Sequence, residues 1–190
     1  VFKNKKLLIT ALTHSSYANE LKAKGENIMY NERLEFLGDS VLSLIASVYL
    51  FKGNRHLFEG DLTKIRAGIV CENALYDYAL DIDLGKYLYL GHGEEVTGGR
   101  NRKSVLSDAF EAIIGSVYLD GGFTSAKEFV ERTVLSNTEN RTLFCDSKTI
   151  LQELIQGKHS GSLSYRMLAE EGPEHKKEFT VGAYLNDMPL

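Results

Sequence analysis

The strongest constraint on the fold is the near absence of proline: Pro173 is the first of only two prolines in 190 residues. Everything before it lacks the residue that both removes a helical hydrogen bond and clashes with the preceding turn. Long helices are therefore permitted over most of the chain. Apolar residues recur three and four apart in 31–52, 61–80, 104–120 and 124–135, with Gly25, Gly53, Gly60, Gly85, Gly91 and the pair Gly121-Gly122 punctuating the sequence. This spacing predicts an all-helical domain over 1–140.

The polar, turn-rich run 136–141 marks a change of character, and a second unit is expected over 146–190. Asp146-Ser147-Lys148-Thr149 reads as a helix start leading into Ile150, Leu151, Leu154 and Ile155, ended by 157–161. Segments 163–168 and 178–185 then read as two short strands around a Gly172-Pro173 turn.

Several function classes are excluded at this point. Apolar residues at 43% and charged residues at 25% rule out wholesale disorder. The densest apolar stretch, 41–51, is broken by Ser43 and Ser47 and falls short of the roughly 20 residues a membrane span needs, so no span is expected. Residue 1 is Val with no basic-then-apolar leader after it, which reads as part of a longer gene product without a signal peptide. Cys71 and Cys145 form no C-x-x-C pattern, and a reducing cytoplasm fits them best. A net charge of −4 argues against nucleic-acid affinity from bulk positive charge, though not against a metal-dependent site that is itself acidic.

Within 31–42, Glu32, Glu35 and Asp39 are embedded in an otherwise strongly apolar helix. At about 100° per residue they fall in an arc of roughly 60°. In 104–114, Asp108 and Glu111 share a face of a second apolar helix. Helices apolar nearly all round are normally buried, so these acids need a hydrogen-bonded partner, a cation or a raised pKa. An ordinary helical Glu is exposed and salt-bridged. Here none of the five has a Lys or Arg three or four positions away, and Glu35 with Asp39 is a repulsive pair at four. Positive charge must come from outside the helix. Mg²⁺ prefers oxygen ligands and is held by a few carboxylates. Two packed helices offering Glu35, Asp39, Asp108 and Glu111 around one or two ions would support phosphodiester hydrolysis. Non-haem iron is the rival, but its Glu-x-x-His pair is absent.

Segment 31–42, NERLEFLGDSVL, resembles the signature of the ribonuclease III family, and 107–122, SDAFEAIIGSVYLDGG, resembles its second acidic motif. LTHSSYANE at 12–20 and LGHGEEVTGGRNRKS at 90–104 are also similar to that family. The resemblance implies a mainly α fold, with an all-helical endonuclease domain that homodimerises and cleaves double-stranded RNA. Cleavage would use Mg²⁺, with Mn²⁺ able to substitute, and leave 5′-phosphate and 3′-hydroxyl ends, in rRNA and other RNA processing. It further implies that Glu35, Asp39, Asp108 and Glu111 are metal-binding catalytic carboxylates, that Glu32 is a further acid of the catalytic valley, and that Phe36 sits at the dimer contact.

From 146 onward, DSKTILQEL and EEGPEHKKEFTV resemble the start of a double-stranded RNA-binding domain, an α+β unit. By that likeness Thr149, Gln152, Glu153, Pro173 and His175 approach the RNA minor groove. The chain ends before the third strand and the lysine-rich second helix that the likeness implies, so this unit is expected to be incomplete. No membrane partner and no nucleotide cofactor are expected. The alternatives are a non-enzymatic RNA-binding member of the same fold, whose mark would be a lost carboxylate, and a nucleotide hydrolase, which would need a base-recognising pocket.

Other features read as structural. His14 with Ser15 and Ser16 suggests helix entry and capping rather than a nucleophile. The glycine-rich turn 98–104, with Arg100, Arg102 and Lys103, lacks P-loop spacing. It is balanced between an RNA-backbone contact and a solvated loop. Tyr76, Tyr78, Tyr87 and Tyr89 read as packing residues, and Cys71 as a buried small apolar side chain.

Overall fold

Helices α3 (Glu32–Gly53) and α7 (Lys103–Thr133) form the centre of the first unit, packed against each other. The computed structural model describes residues 2–137, 151, 155, 162–171 and 177–190, and the chain divides into two compact units, Val1–Cys145 and Asp146–Leu190. Around the central pair lie α1 (Lys5–Leu12), α2 (Ser15–Ala23), α4 (Glu59–Val70), α5 (Glu72–Asp81) and the short α6 (His92–Val96).

The buried positions of α3, Leu34, Gly38, Val41, Leu42, Ile45, Ala46 and Leu50, follow the three-and-four spacing read from the sequence. They meet Val105, Leu106, Ala109, Phe110, Ile113 and Ile114 of α7. Phe110 stacks between Tyr78 and Phe129, with ring centroids 5.9 Å away in each case. Each such side chain, fully buried, contributes about 1.5–3 kcal/mol. By length and mean hydropathy α3 is the one helix among the described residues that could cross a membrane, with a value of 1.6 over its best window. That departs from the expectation drawn from 41–51 alone. Its acidic face and its packing on α7 make it the central helix of a bundle instead.

Two sequence expectations are corrected here. The single helix expected over 61–80 breaks at Cys71, whose ψ of 156° is extended and ends α4 just before α5 begins. Cys71 itself is half-buried rather than buried, and its Sγ donates to the Gly68 carbonyl at 3.4 Å. The break at Gly121-Gly122 is observed as a kink inside α7, where Gly122 adopts φ 74° and ψ −175°. Only glycine takes that conformation without steric cost.

The second unit is an antiparallel sheet in the order β1 (Leu163–Glu171), β2 (Glu178–Leu185), β3 (Met188–Pro189). Leu163 faces Leu185 and Glu171 faces Glu178, with an irregularity between Met167 and Ala169. The third strand, expected to be missing, is present as a two-residue pairing of Leu185 with Met188 and Tyr184 with Pro189. Its cause is local: Asn186 and Asp187, at φ 48° and 67°, form the two-residue turn that joins strands with matching twist. Leu151 and Ile155 are helical, and Ile155 is buried. Thr149, Gln152, Glu153, Pro173 and His175 lie outside the described residues.

Candidate metal and catalytic centre

The centre is built where two helix backbones touch. A Cβ at Gly38 would lie 1.8 Å from the Glu111 carbonyl oxygen, and one at Gly115 would lie 2.3 Å from the Leu34 carbonyl oxygen. The two glycines thus let α3 and α7 cross with no side chain between them. Glu35 sits one position after Leu34, and Glu111 is the residue whose carbonyl Gly38 faces. The crossing therefore sets the separation of the acids directly. Reading the sequence for charge alone passes over these glycines; the signal present was two glycines inside strongly apolar helices, where each would otherwise weaken its helix by up to about 1 kcal/mol.

Glu35, Asp108 and Glu111 each offer an oxygen atom, and these atoms all lie within 4.8 Å of one another. None of the three forms an ion pair with Lys or Arg among the described residues. Burial pushes the Glu111 carboxyl up to about 8, with Asp39, Glu35 and Asp108 adding like-charge repulsion. Burial raises Glu35 as well, followed by Asp108, Glu32 and Asp39. Asp108 is raised by burial and then by Glu72 from the first turn of α5, while a weak hydrogen bond from Ser107 and the charge of His14 act the other way.

The structure brings together three of the four acids expected around an ion. Asp39 is exposed, one helical turn beyond Glu35, with its Oδ1 accepting from Ser43 Oγ at 3.4 Å, and it stands outside the 4.8 Å group. Its charge still acts on both Glu35 and Glu111. Glu32 is exposed on the same face in the first turn of α3. Phe36 is 77% exposed, and Leu44 and Phe51 of the same helix are exposed as well. The donor set fits a hard divalent cation: oxygen only, partly desolvated, and in excess of negative charge.

The basic turn before α7 is occupied internally. Arg100 pairs with Glu95 and donates to the Gly85 and Leu88 carbonyls at 2.6 and 3.1 Å. Arg102 pairs with Glu94 at 2.5 Å, and Lys103 donates to Asn73 at 2.6 Å beside the Tyr76 ring. These contacts make it a clamp that fixes the entry to the helix carrying Asp108. Of the tyrosines read as packing, Tyr78 is buried and Tyr76 half-buried, but Tyr87 is 61% exposed and Tyr89 44%, the latter beside the Tyr17 ring. His14 caps α2 as expected.

Known proteins are similar to this chain in sequence and in fold. A family profile described as ribonuclease-III-like matches residues 4–138, and one described as a double-stranded RNA binding motif matches 147–190. Ribonuclease 3 of Clostridium perfringens is 47% identical over 98% of this chain and 78% of its own length. Ribonuclease 3 of Geobacillus kaustophilus is 48% identical over 100% of this chain and 77% of its own. The nuclease domain of ribonuclease III from Campylobacter jejuni, whose structure was studied for flexibility in a region involved in dimer formation, superposes with a TM-score of 0.66 at 43% identity. It covers 72% of this chain and 90% of that one. With its carboxylates gathered at the crossing of α3 and α7, the chain belongs to the ribonuclease III family of endonucleases.

Proposed function

We propose that this protein is a homodimeric, Mg²⁺-dependent endonuclease that hydrolyses double-stranded RNA to 5′-phosphate and 3′-hydroxyl ends. Residues 1–140 form the catalytic domain, and 146–190 the RNA-binding domain. The observation that carries the reading is the convergence of Glu35, Asp108 and Glu111 within 4.8 Å, with no Lys or Arg ion pair among the described residues. Together with Asp39 they would hold the ion. When bound, Mg²⁺ lowers the pKa of water and stabilises charge on the leaving oxygen, and Mn²⁺ can substitute.

The chain's own residues supply the rest. Gly38 and Gly115 hold the two helices at a fixed crossing, so the carboxylates need little rearrangement to become ligands. Partial burial keeps water from screening them, and Glu111, raised by that burial, would have to release its proton to solvent to serve as a ligand. Glu32 lies on the same face, towards the valley an RNA strand would occupy. Phe36 would seat at the contact between two copies, as its exposed apolar ring on α3 suggests. Thr149, Gln152, Glu153, Pro173 and His175 would meet the minor groove, where recognition rests on shape and 2′-hydroxyls. rRNA and other RNA processing in the cytoplasm is the setting this activity suits.

Cleavage of a long, perfectly paired RNA with Mg²⁺, beside Asp108→Asn and a Ca²⁺ control, tests the proposal. Short duplexes with 5′-phosphates from the parent alone support it. Parent and variant equally inert, while both bind duplex RNA, would favour a non-enzymatic binding protein.

A further inference from the structure

Helix α1 is fastened at its two ends and thinly packed between them. Of its eight residues only Ala11 is buried, and Ile9 is 51% exposed. Leu7, Leu8 and Leu12 are half-buried. A hollow of about 520 Å³ beside the helix is lined by Phe2 and Leu8 and, from the kinked α7, by Ile113, Val117 and Phe129. Closely packed helices fill such space with side chains, so α1 gains less from apolar burial than α3 or α7 does.

The two fastenings differ in kind. At the C-terminal end, Thr13 is buried and pairs with Tyr89 in a short parallel bridge. The Tyr89 N–H donates to the Leu12 carbonyl at 2.9 Å, the His14 N–H to the Tyr89 carbonyl at 3.0 Å, and the Asn31 N–H to the Thr13 carbonyl at 2.9 Å. Main chain is bonded to main chain on two neighbouring segments. At the N-terminal end the tie is a side chain. Asp120, just before the Gly121-Gly122 kink, accepts from the Lys3 N–H at 2.8 Å on Oδ2 and from the Asn4 N–H at 2.7 Å on Oδ1. It is the remaining acid of segment 107–122 and stands outside the cluster of Asp108 and Glu111. One carboxylate thus holds two consecutive amides at the positive end of the α1 dipole, in charge-assisted bonds. The Asn4 and Lys3 N–H groups keep the Asp120 carboxyl below the usual carboxylate range, so the tie is ionised at neutral pH.

A helix fixed by main-chain pairing at one end and by a carboxylate at the other is able to turn about the fixed end. We propose that α1 and the residues before it form a lid over the elbow of α7, hinged at Thr13 and latched by Asp120. Released, the lid uncovers Ile113, Val117 and Phe129. A helix of eight residues that has left its docking surface does not keep its own hydrogen bonds. Opening is therefore a local event, separate from unfolding of the α3–α7 core, and amide exchange reads it directly. It requires neither a metal ion nor RNA.

Amide exchange of the intact chain, followed by NMR over a series of low urea concentrations, tests the lid beside Asp120→Ala and Asp120→Asn. In the parent we expect Lys3, Asn4 and Ile9 to exchange with little urea dependence, and Leu42 and Ile114 with the full dependence of global unfolding. Asp120→Ala should speed exchange at Lys3, Asn4 and Ile9 about 10-fold, the equivalent of losing one charge-assisted hydrogen bond, and leave His14, Asn31 and Leu42 unchanged. Asp120→Asn, which keeps one carbonyl oxygen as acceptor, should fall between. The lid is overturned if Ile9 shares the urea dependence of Leu42 in the parent, or if Asp120→Ala leaves Lys3, Asn4 and Ile9 unchanged. Equal speeding at His14 and Asn31 overturns it as well, since Asp120 would then stabilise the whole unit and latch no part of it. Should Asp120→Ala fail to fold, the parent's urea dependence and Asp120→Asn decide on the same terms.

Discussion

Replacing Gly38 by Ala adds one methyl group at the helix crossing, and the geometry gives its cost. The new Cβ would stand 1.8 Å from the Glu111 carbonyl oxygen, whereas ordinary contact begins at 3.4 Å, so the backbones must part by about 1.6 Å along that line. The obstructing atom is main chain, and no rotamer change relieves it. Ala is the better helix former by about 0.5–1 kcal/mol, but over-packing costs about 1–3 kcal/mol, and a backbone clash lies at the upper end of that range. A net loss of about 2 kcal/mol follows, or roughly 4–8 °C in Tm for a chain of this length. Because Glu35 and Glu111 ride on the two backbones, the same shift separates their carboxylates. A misplacement near 1 Å is worth about 100-fold in rate. Thermal unfolding and single-turnover RNA cleavage would be measured on Gly38→Ala beside Gly60→Ala, where an added Cβ meets nothing within 4 Å. Gly60→Ala should be neutral or slightly stabilising. If Gly38→Ala matches it in both Tm and rate, the backbone crossing does not set the site.

Three further outcomes are expected. The native Glu111 carboxyl sits near 8 against 4.5 in the unfolded chain, so the native state binds the extra proton. Its contribution to stability is fully present below about 4.5 and is lost as pH rises through about 8. Urea midpoints of the metal-free protein should fall across that window and flatten in Glu111→Gln; an equal slope in both would show that Glu111 is not the source. Phe36→Asp should weaken self-association by at least about 2 kcal/mol, some 30-fold, read by sedimentation, and an unchanged dimer would remove Phe36 from the contact. Residues 146–190 carry five Lys plus Arg against seven Asp plus Glu, so this unit should add little affinity for duplex RNA and little salt dependence. A steep loss of binding by the isolated 146–190 segment between low and moderate salt would contradict that.

What the sequence made legible follows from what periodicity encodes. A repeat of three and four residues defined α3 and the first part of α7, and the same rule put Glu32, Glu35 and Asp39 on one face. Angular position is not distance, however. Whether an acid on that face reaches the opposite helix depends on the crossing point, so Glu35 joins Asp108 and Glu111 while Asp39, one turn on, stays at the rim. The end of α4 at Cys71 has no glycine or proline at or after the break to announce it. The Asn186-Asp187 turn is not read from the sequence, which is why the third strand is expected to be missing, although Asn and Asp tolerate positive φ better than most residues. The pairing of Arg100 and Arg102 was not legible, for a different reason. Their partners Glu95 and Glu94 sit at spacings that no regular helix or strand brings together, and only the irregular turn does so.

The site also explains why the first unit combines an unusually apolar central pair with acids that form no ion pair among the described residues. Three partly buried carboxylates repel one another and lose solvation, and both effects appear in the raised Glu111, Glu35 and Asp108 carboxyls. In a loosely packed bundle those side chains would turn outward to water, and the cluster would disperse. Here the backbones on which Glu35 and Glu111 stand are in direct contact through Gly38 and Gly115, so dispersal would require the crossing itself to open. The opening is resisted by Leu34, Val41, Leu42, Phe110, Ile113 and Ile114 on either side of it. The apolar surface buried around the crossing therefore holds the acids where their mutual repulsion is unfavourable. A divalent cation relieves that repulsion more fully than a single Lys or Arg would.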